Sequence, residues 1–482
     1  MKLSKRFAKF LKLCIIVCVC GSILFGIVLI NKADDFHDIT NIERSKSFKR
    51  YDGNLHVQLN PRHILPAFVQ RLRPVNSTVK TFLNQSQISK VNLSSYFRDD
   101  LKITPAKQRK NMLSNVNASK EILQLRKTVE PPSYDVHAFY YPWYGTPELD
   151  GQYFHWNHPY IRHWNAKEAQ KWPNYTHKPP DDIGSNFYPL LGAYSSRDTE
   201  ITDVHMQMMR YARIGVVVVS WYPPGDADNE GREPDSVMPL ILEGAAKYDL
   251  KVAIHIEPYR GRNHVTLRKN LEYILEKYGK HPAFYRTSFK GKRNVPLIYI
   301  YDSYLVDSKD WATILTSNGR GSIRNTELDC IFIGLLVESA HKEHVLKSGF
   351  DGFYTYFATN RFTYGSTWKT WPHLAQLAQS KGLLFIPSVG PGYIDTEVRP
   401  WNGANTRKRL DGKYYNEAFA SALSVKPSMV SITSFNEWHE GTQIEPAVSK
   451  KIKMRRYEDY GSKGPNFYLD LTKAWVDKIM HR

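Results

Sequence analysis

The residues best suited to chemistry stand near the C-terminal end, in Phe435-Asn436-Glu437-Trp438-His439-Glu440-Gly441. Two carboxylates three residues apart sit among an amide, an indole and an imidazole, directly after the strand-like run 429–434. Cleavage of a glycosidic bond needs such a pair: one carboxyl protonates the departing oxygen while the other works on the opposite side of the sugar ring. Aromatic neighbours suit stacking on a pyranose, and an amide suits its hydroxyls. An isolated E-x-x-E is equally an ordinary solvated capping turn. The elements that must position these residues decide between the two readings.

Strand-like runs recur after about residue 133, at 136–141, 214–221, 251–257, 296–301, 330–336, 352–357, 383–388 and 429–435. Several are nearly continuous apolar stretches, as parallel strands buried on both faces should be. Helical patterns lie between many of them, at 199–213, 239–248, 266–278, 311–316, 343–347, 371–380 and 413–423. This alternation predicts an α/β fold, a (β/α)8 TIM barrel with generous loops. An open doubly wound sheet is the alternative, but no Gly-rich phosphate loop follows the first strand.

In a barrel the C-terminal ends of the strands build the active-site face. Those ends carry Tyr140-Tyr141-Pro142-Trp143-Tyr144, then Ser220-Trp221-Tyr222, His255-Ile256-Glu257, Tyr301-Asp302, Tyr356-Phe357 and finally Asn436, Glu437 and Glu440. Any one tip could be ordinary core or rim. Aromatic, His and carboxylate residues repeated from tip to tip describe a cleft for a neutral sugar polymer. His255 and Glu257 share a strand face, yet there is no H-E-x-x-H and no Cys/His ligand spacing. No metal and no cofactor are expected.

The flanks bound the setting. Lys2, Lys5, Arg6, Lys9 and Lys12 precede the uncharged apolar run 13–30, which is long enough to cross a bilayer. The basic flank predicts a cytosolic tail over 1–12, a transmembrane signal anchor over 13–31, a lumenal stem over 32–130 and a catalytic domain over 131–482. A cleaved signal peptide fits less well, because the run exceeds a usual h-region and no small-x-small site closes it. The stem holds sequons at Asn76, Asn84, Asn92 and Asn117, with another at Asn174. A short amphipathic helix near 121–127 could dock on the domain. Of the four cysteines only Cys330 lies beyond the apolar run, so the lumenal part has no intramolecular disulfide to rely on. The net charge of +19 is concentrated in the tail and stem, leaving 43 basic against 38 acidic residues over 131–482. Nucleic-acid binding is thereby disfavoured.

Several strings closely resemble the animal endo-α-1,2-mannosidases of glycoside hydrolase family ninety-nine. They are Tyr-Tyr-Pro-Trp-Tyr at 140–144, Pro-Pro-Asp-Asp-Ile-Gly-Ser at 179–185, Ser-Trp-Tyr-Pro-Pro at 220–224 and His-Ile-Glu-Pro-Tyr at 255–259. Further along come Gly-Phe-Asp-Gly-Phe-Tyr-Thr-Tyr-Phe-Ala-Thr-Asn at 349–360, Pro-Ser-Val-Gly-Pro-Gly-Tyr at 387–393 and Ser-Phe-Asn-Glu-Trp-His-Glu-Gly-Thr-Gln-Ile-Glu at 434–445. The resemblance implies a retaining enzyme that cuts an internal α-1,2 bond of glucosylated high-mannose N-glycans on glycoproteins and releases a glucosyl-mannose oligosaccharide. It implies a type II Golgi membrane protein. It makes Glu440 the general acid and later base, and Glu437 the carboxylate that acts on the mannose 2-hydroxyl. Tyr222, His255, Glu257, Tyr356 and Asn436 are implied as substrate-binding, with Tyr141, Trp143 and Tyr301 as further candidates. The stretch 226–235 is implied to close over the subsite that Tyr222 faces. Pro142 departs from the small polar residue expected there. A glycan-binding or altered-specificity paralogue of the family is the alternative.

Overall fold

Eight short apolar strands, each followed by a helix, account for most of residues 131–481. The computed structural model describes Val17–Cys20, Ile23–Gly26, Pro105–Leu125 and residues 130–481. The strands are β1 (Ser133–Tyr140), β2 (Ile214–Trp221), β3 (Lys251–Ile256), β4 (Lys292–Ile300), β5 (Ile331–Leu335), β6 (Gly352–Tyr354), β7 (Leu384–Ile386 and Ser388–Val389) and β8 (Val430–Ile432). The helices are α1 (Thr199–Tyr211), α2 (Met238–Lys247), α3 (His264–Lys277), α4 (Ser308–Leu315), α5 (His341–Ser348), α6 (Trp371–Lys381), α7 (Lys413–Ser424) and α8 (Phe467–Met480).

β2 shows why the sheet forms. Its sequence Ile-Gly-Val-Val-Val-Val-Ser-Trp is buried at every position, and β-branched side chains suit a pleated surface covered on both faces. Gly215 is required there, since a Cβ would lie 2.2 Å from the Ser133 carbonyl oxygen of β1. Each strand pairs in parallel with the next, from β1 through β7. Pro387 interrupts β7. Its first half pairs with β6 and its second half with β8, which in turn pairs with β1. Proline has no N–H to give, but its carbonyl accepts from Ser431 N–H at 3.1 Å. The result is a parallel, barrel-like α/β fold.

Its interior is aromatic where aliphatic side chains are usual. Phe139 of β1 meets the rings of His255, Tyr299 and Tyr354 with centroids 4.8, 5.6 and 5.6 Å away. His137 Nδ1 lies 2.7 Å from the Tyr299 hydroxyl. These buried rings form a packed floor beneath the strand ends.

Several strands end differently from the sequence expectation. β6 stops at Tyr354 and β8 at Ile432, so the expected ends 355–357 and 433–435 are loop. Tyr356 has φ +50°, a left-handed conformation that no strand continues through. β4 begins earlier than expected because Lys292–Val295 pairs with the short strand Arg286–Phe289 in a hairpin. Those residues are largely exposed, so no apolar pattern marks them. α8 lies beyond the helices read from sequence and joins the helical ring by stacking Trp475 on Phe419 of α7 at 5.3 Å.

The helix expected near 121–127 spans Pro105–Leu125. It buries Met112, Val116 and Leu123 and is pinned by Arg109 to Asp198 at 2.7 Å and by Lys120 to Asp203 at 2.8 Å. Asp198 is also the N-cap of α1, so this helix docks on the domain. Its apolar residues are too sparse for a sequence pattern to reveal its full length. The remaining stem and the cytosolic tail lie outside the described residues.

Most of the membrane anchor expected over 13–31 lies outside the described residues. The described parts of that run are Val17–Cys20 and Ile23–Gly26, two short strands paired antiparallel. A run rich in Val, Ile and Cys satisfies strand and helix patterns alike. Among the described residues no helix is long and apolar enough to cross a membrane.

Candidate active site

After β8 the chain makes a single 3-10 turn, Trp438–Glu440, with Glu437 as its N-cap. The Glu437 carboxylate accepts the His439 N–H at 3.1 Å, and the Glu437 N–H donates to Ser434 Oγ at 2.7 Å. Behind the turn, buried Glu445 accepts from Trp438 Nε1 at 2.9 Å and from the Tyr194 hydroxyl at 2.8 Å. Its other oxygen lies 3.2 Å from His205 Nε2. This carboxylate locks the indole and thereby the turn. Gly441 ends the turn at φ +59°.

Both candidate catalytic carboxylates are buried, Glu437 at 1% and Glu440 at 3% exposure. Burial pushes Glu440 up to about 8, with the Arg399 guanidinium opposing and Asp395 adding to the rise. Burial, then the neighbouring Glu440, pushes Glu437 well above the usual carboxylate range, against Arg399 and the His439 N–H. Two carboxylates buried together cannot both ionise freely, so they titrate as a pair that retains a proton at neutral pH.

The strand ends converge on this pair. The Tyr141 hydroxyl hydrogen-bonds that of Tyr356. Burial raises the Tyr141 phenol well above its usual value, and the charges of Glu257, Glu437 and Glu440 add to that effect, which places three carboxylates around one ring. His255 Nδ1 lies 3.3 Å from Glu257 and its Nε2 2.7 Å from the Tyr354 hydroxyl. Ser220 Oγ donates to Glu257 at 2.8 Å. The His255 ring lies parallel to Tyr356 at 6.1 Å, and Tyr301 meets both edge-on at 5.2 and 5.1 Å. Among the described residues the Tyr301 hydroxyl has no hydrogen-bond partner. Trp143 packs on Tyr141 at 4.5 Å.

Two residues differ from the rest of the expected set. Asn436 uses its amide on the backbone, accepting Tyr141 N–H at 2.8 Å and donating to the Tyr141 carbonyl at 3.0 Å. It therefore holds β1 to β8 and aims Tyr141. Tyr222 is buried just beyond β2, on the side of the polar loop 226–235. That loop is fastened at both ends: Asp228 to His155 Nε2 at 2.9 Å and Asp235 to Trp221 Nε1 at 2.8 Å.

Residues outside the expected set surround the carboxylates. Arg399 is wholly buried, pairs with Asp395 at 2.9 Å and lies 3.9 Å from Glu440. Among the described residues its Nε and Nη2 have no hydrogen-bond partner, so both donors are open to a bound hydroxyl. His439 stands over Trp143, with His155 and His158 close by. Burial, then the charges of His155, His158 and Arg399, holds His439 well below its usual value, so its ring is neutral. Against burial, Glu230 and Asp228 raise His155. Arg399 lies in a loop after β7 with no motif around it; only the burial of a guanidinium, a tertiary property, marks it. Among the described residues no cluster of three or more His, Cys, Asp or Glu side chains could hold a metal ion.

A barrel-like sheet with paired buried carboxylates and an aromatic cleft at its strand ends is the architecture of a glycoside hydrolase. Residues 131–481 match Glycosyl hydrolase family 99, and the chain belongs to that family. It is 56% identical to the glycoprotein endo-alpha-1,2-mannosidase of Xenopus laevis over 350 residues, 73% of this chain and 78% of that protein. It is 52% identical to the human glycoprotein endo-alpha-1,2-mannosidase-like protein, over 72% of this chain and 76% of that one. Among solved structures, the family 99 endo-alpha-mannosidase from Bacteroides thetaiotaomicron superposes with a TM-score of 0.67 at 44% identity, covering 73% of this chain and 98% of that one.

Proposed function

We propose that the chain is a retaining endo-α-1,2-mannosidase with a (β/α)8 barrel catalytic domain. It cleaves glucosylated high-mannose N-glycans internally and releases a glucosyl-mannose oligosaccharide. The observation that carries this reading is the pair Glu437 and Glu440, both buried on one turn at the end of β8. The names borne by its relatives supply the bond type.

In the first step Glu437 takes the proton of the mannose 2-hydroxyl. That oxygen bonds to C1 as the C1–O glycosidic bond breaks, and Glu440 gives its proton to the departing oxygen. In the second step Glu440, now a carboxylate, takes a proton from water, which adds to C1. The C1–O2 bond opens and Glu437 returns the proton to O2. A 2-hydroxyl donating to Glu437 favours its ionised form, which burial opposes while the cleft holds no sugar. Tyr222, His255, Glu257, Tyr301, Tyr356, Tyr141 and Trp143 bind the sugars. Asn436 acts through Tyr141.

The protein is placed as a single-pass type II membrane protein of the Golgi with a lumenal catalytic domain. The basic residues ahead of the apolar run and the sequon-rich stem support that placement. Retention of both carboxylates speaks against a binding-only paralogue, which needs no acid at the leaving oxygen.

The test is incubation with a monoglucosylated high-mannose glycan, products read by mass, beside Glu440→Gln and Glu437→Gln. The expected result is release of a glucosyl-mannose disaccharide by the unaltered chain, with a loss of about 10³-fold or more in each variant. Binding of an intact glycan without cleavage would overturn the enzyme reading, and free glucose alone would mean a different bond.

A further inference from the structure

A second cavity, of about 340 Å3, lies behind the turn that carries Glu440, with Tyr393, Ile394, Arg407, Arg409, Gly441 and Glu458 among its walls. None of these residues belongs to the cluster around Tyr141. The volume is within the range of sites that take small ligands.

Two sets of contacts join this cavity to Glu440. The Ile394 N–H donates to the Glu440 carbonyl at 2.8 Å. Gly441 packs so tightly on Ile394 that a Cβ would lie 2.7 Å from its carbonyl oxygen. Arg409 Nη2 donates to the carbonyls of Gly441 and Gln443 at 3.0 and 2.7 Å. The same guanidinium lies over Phe187, Tyr460 and Tyr468, at 4.6, 5.0 and 4.5 Å from the ring centroids. The guanidinium thus caps the aromatic faces beneath it and ties the cavity wall to the turn. Around the cavity, basic Arg407, Lys408 and Arg409 are balanced by Asp411, Glu458 and Asp459. A wall of balanced polar groups suits a neutral polyhydroxyl ligand better than an anion or an apolar one.

We propose that this cavity is a second carbohydrate subsite, which takes a pyranose from another branch of the same N-glycan and steadies the Glu440 turn through Arg409. The proposal rests on the endomannosidase reading. Glu440 protonates the departing oxygen, and the cavity wall is the residue that follows it. The part of the glycan within reach is therefore the leaving portion, which carries the remaining branches.

Thr406→Trp places an indole in the cavity from a wall residue. With a complete branched glycan its KM is expected to rise about five- to tenfold, the loss of one or two hydrogen bonds. With a linear α-1,2-linked oligosaccharide kcat/KM should stay within about twofold. Lys408→Ala, at an exposed rim position, should show the same selectivity at smaller size, which separates the effect from misfolding. Equal loss on both substrates, or no change on either, overturns the subsite. So does saturable inorganic phosphate binding, abolished by Thr406→Trp with an unchanged glycan KM. If the unaltered chain cleaves neither mannoside, the functional reading fails. NMR titration of the Glu440→Gln protein with branched mannose oligosaccharide then still decides the cavity: shifts at Gly441 that Thr406→Trp removes support it, and their absence overturns it.

Discussion

Arg399 and the two carboxylates form one electrostatic unit. Arg399 opposes the rise of both Glu437 and Glu440, so its replacement should move both upward. With Glu440 at about 8, an acid that must be protonated loses activity as pH rises through that value. The kcat/KM profile should therefore fall above about pH 8, and Arg399→Met should shift the whole bell to higher pH with a maximum lower by about tenfold or more. A profile that keeps its position while only KM changes would mean that Arg399 binds sugar and does not tune the pair. The same shift has a stability consequence. A carboxyl raised in the folded state from its ordinary 4.5 to about 8 lowers stability progressively as pH climbs between those values. Glu440→Gln should accordingly melt at least about 2 °C higher than the unaltered chain near pH 8, with the gap closing towards pH 4. Calorimetry at the two pH values checks this.

The turn that carries Glu440 is defined less by its own sequence than by what surrounds it. Gly441 is left-handed, and a Cβ there would lie 2.7 Å from the Ile394 carbonyl oxygen and 2.8 Å from its Cγ2. Gly441→Ala should cost about 1–3 kcal/mol in backbone strain. Because the neighbouring backbone must move, kcat should fall about ten- to hundredfold while KM changes little. Steady-state kinetics beside a thermal melt would show it, and an unchanged kcat would mean that the turn tolerates displacement. The strand ends show how far such elements were legible in advance. Strand-like runs marked all eight strands, several of them nearly continuous in apolar residues because parallel strands are buried on both faces. The same runs overshot at β6 and β8. Tyr356 looks strand-like as a letter, but it turns left-handed.

At the scale of the molecule, charge and chemistry are separated. The basic excess lies ahead of residue 131, while the enzymatic part is nearly balanced, as a site for neutral sugars needs no electrostatic steering. The kcat/KM on a glycan should change less than about twofold between 50 and 500 mM salt, where phosphate recognition would lose orders of magnitude. A steep salt dependence would point to an anionic partner. The docked helix Pro105–Leu125 adds that the domain extends into what composition marks as stem; three buried apolar residues in that helix are too few for a periodic signal, and the ion pairs to Asp198 and Asp203 exist only after folding.

The chain by itself marked the alternation of strands and helices and offered Glu437 and Glu440 as candidates just after the last strand, because periodicity and a local motif are written in consecutive residues. Only the tertiary structure decided which side chains surround that pair. Arg399 and Asp395 come from the loop after β7 and His155 from the loop after β1, and none of the three has a local signature. Their effect on the carboxylates depends on burial and on distances across the molecule, which no stretch of sequence contains.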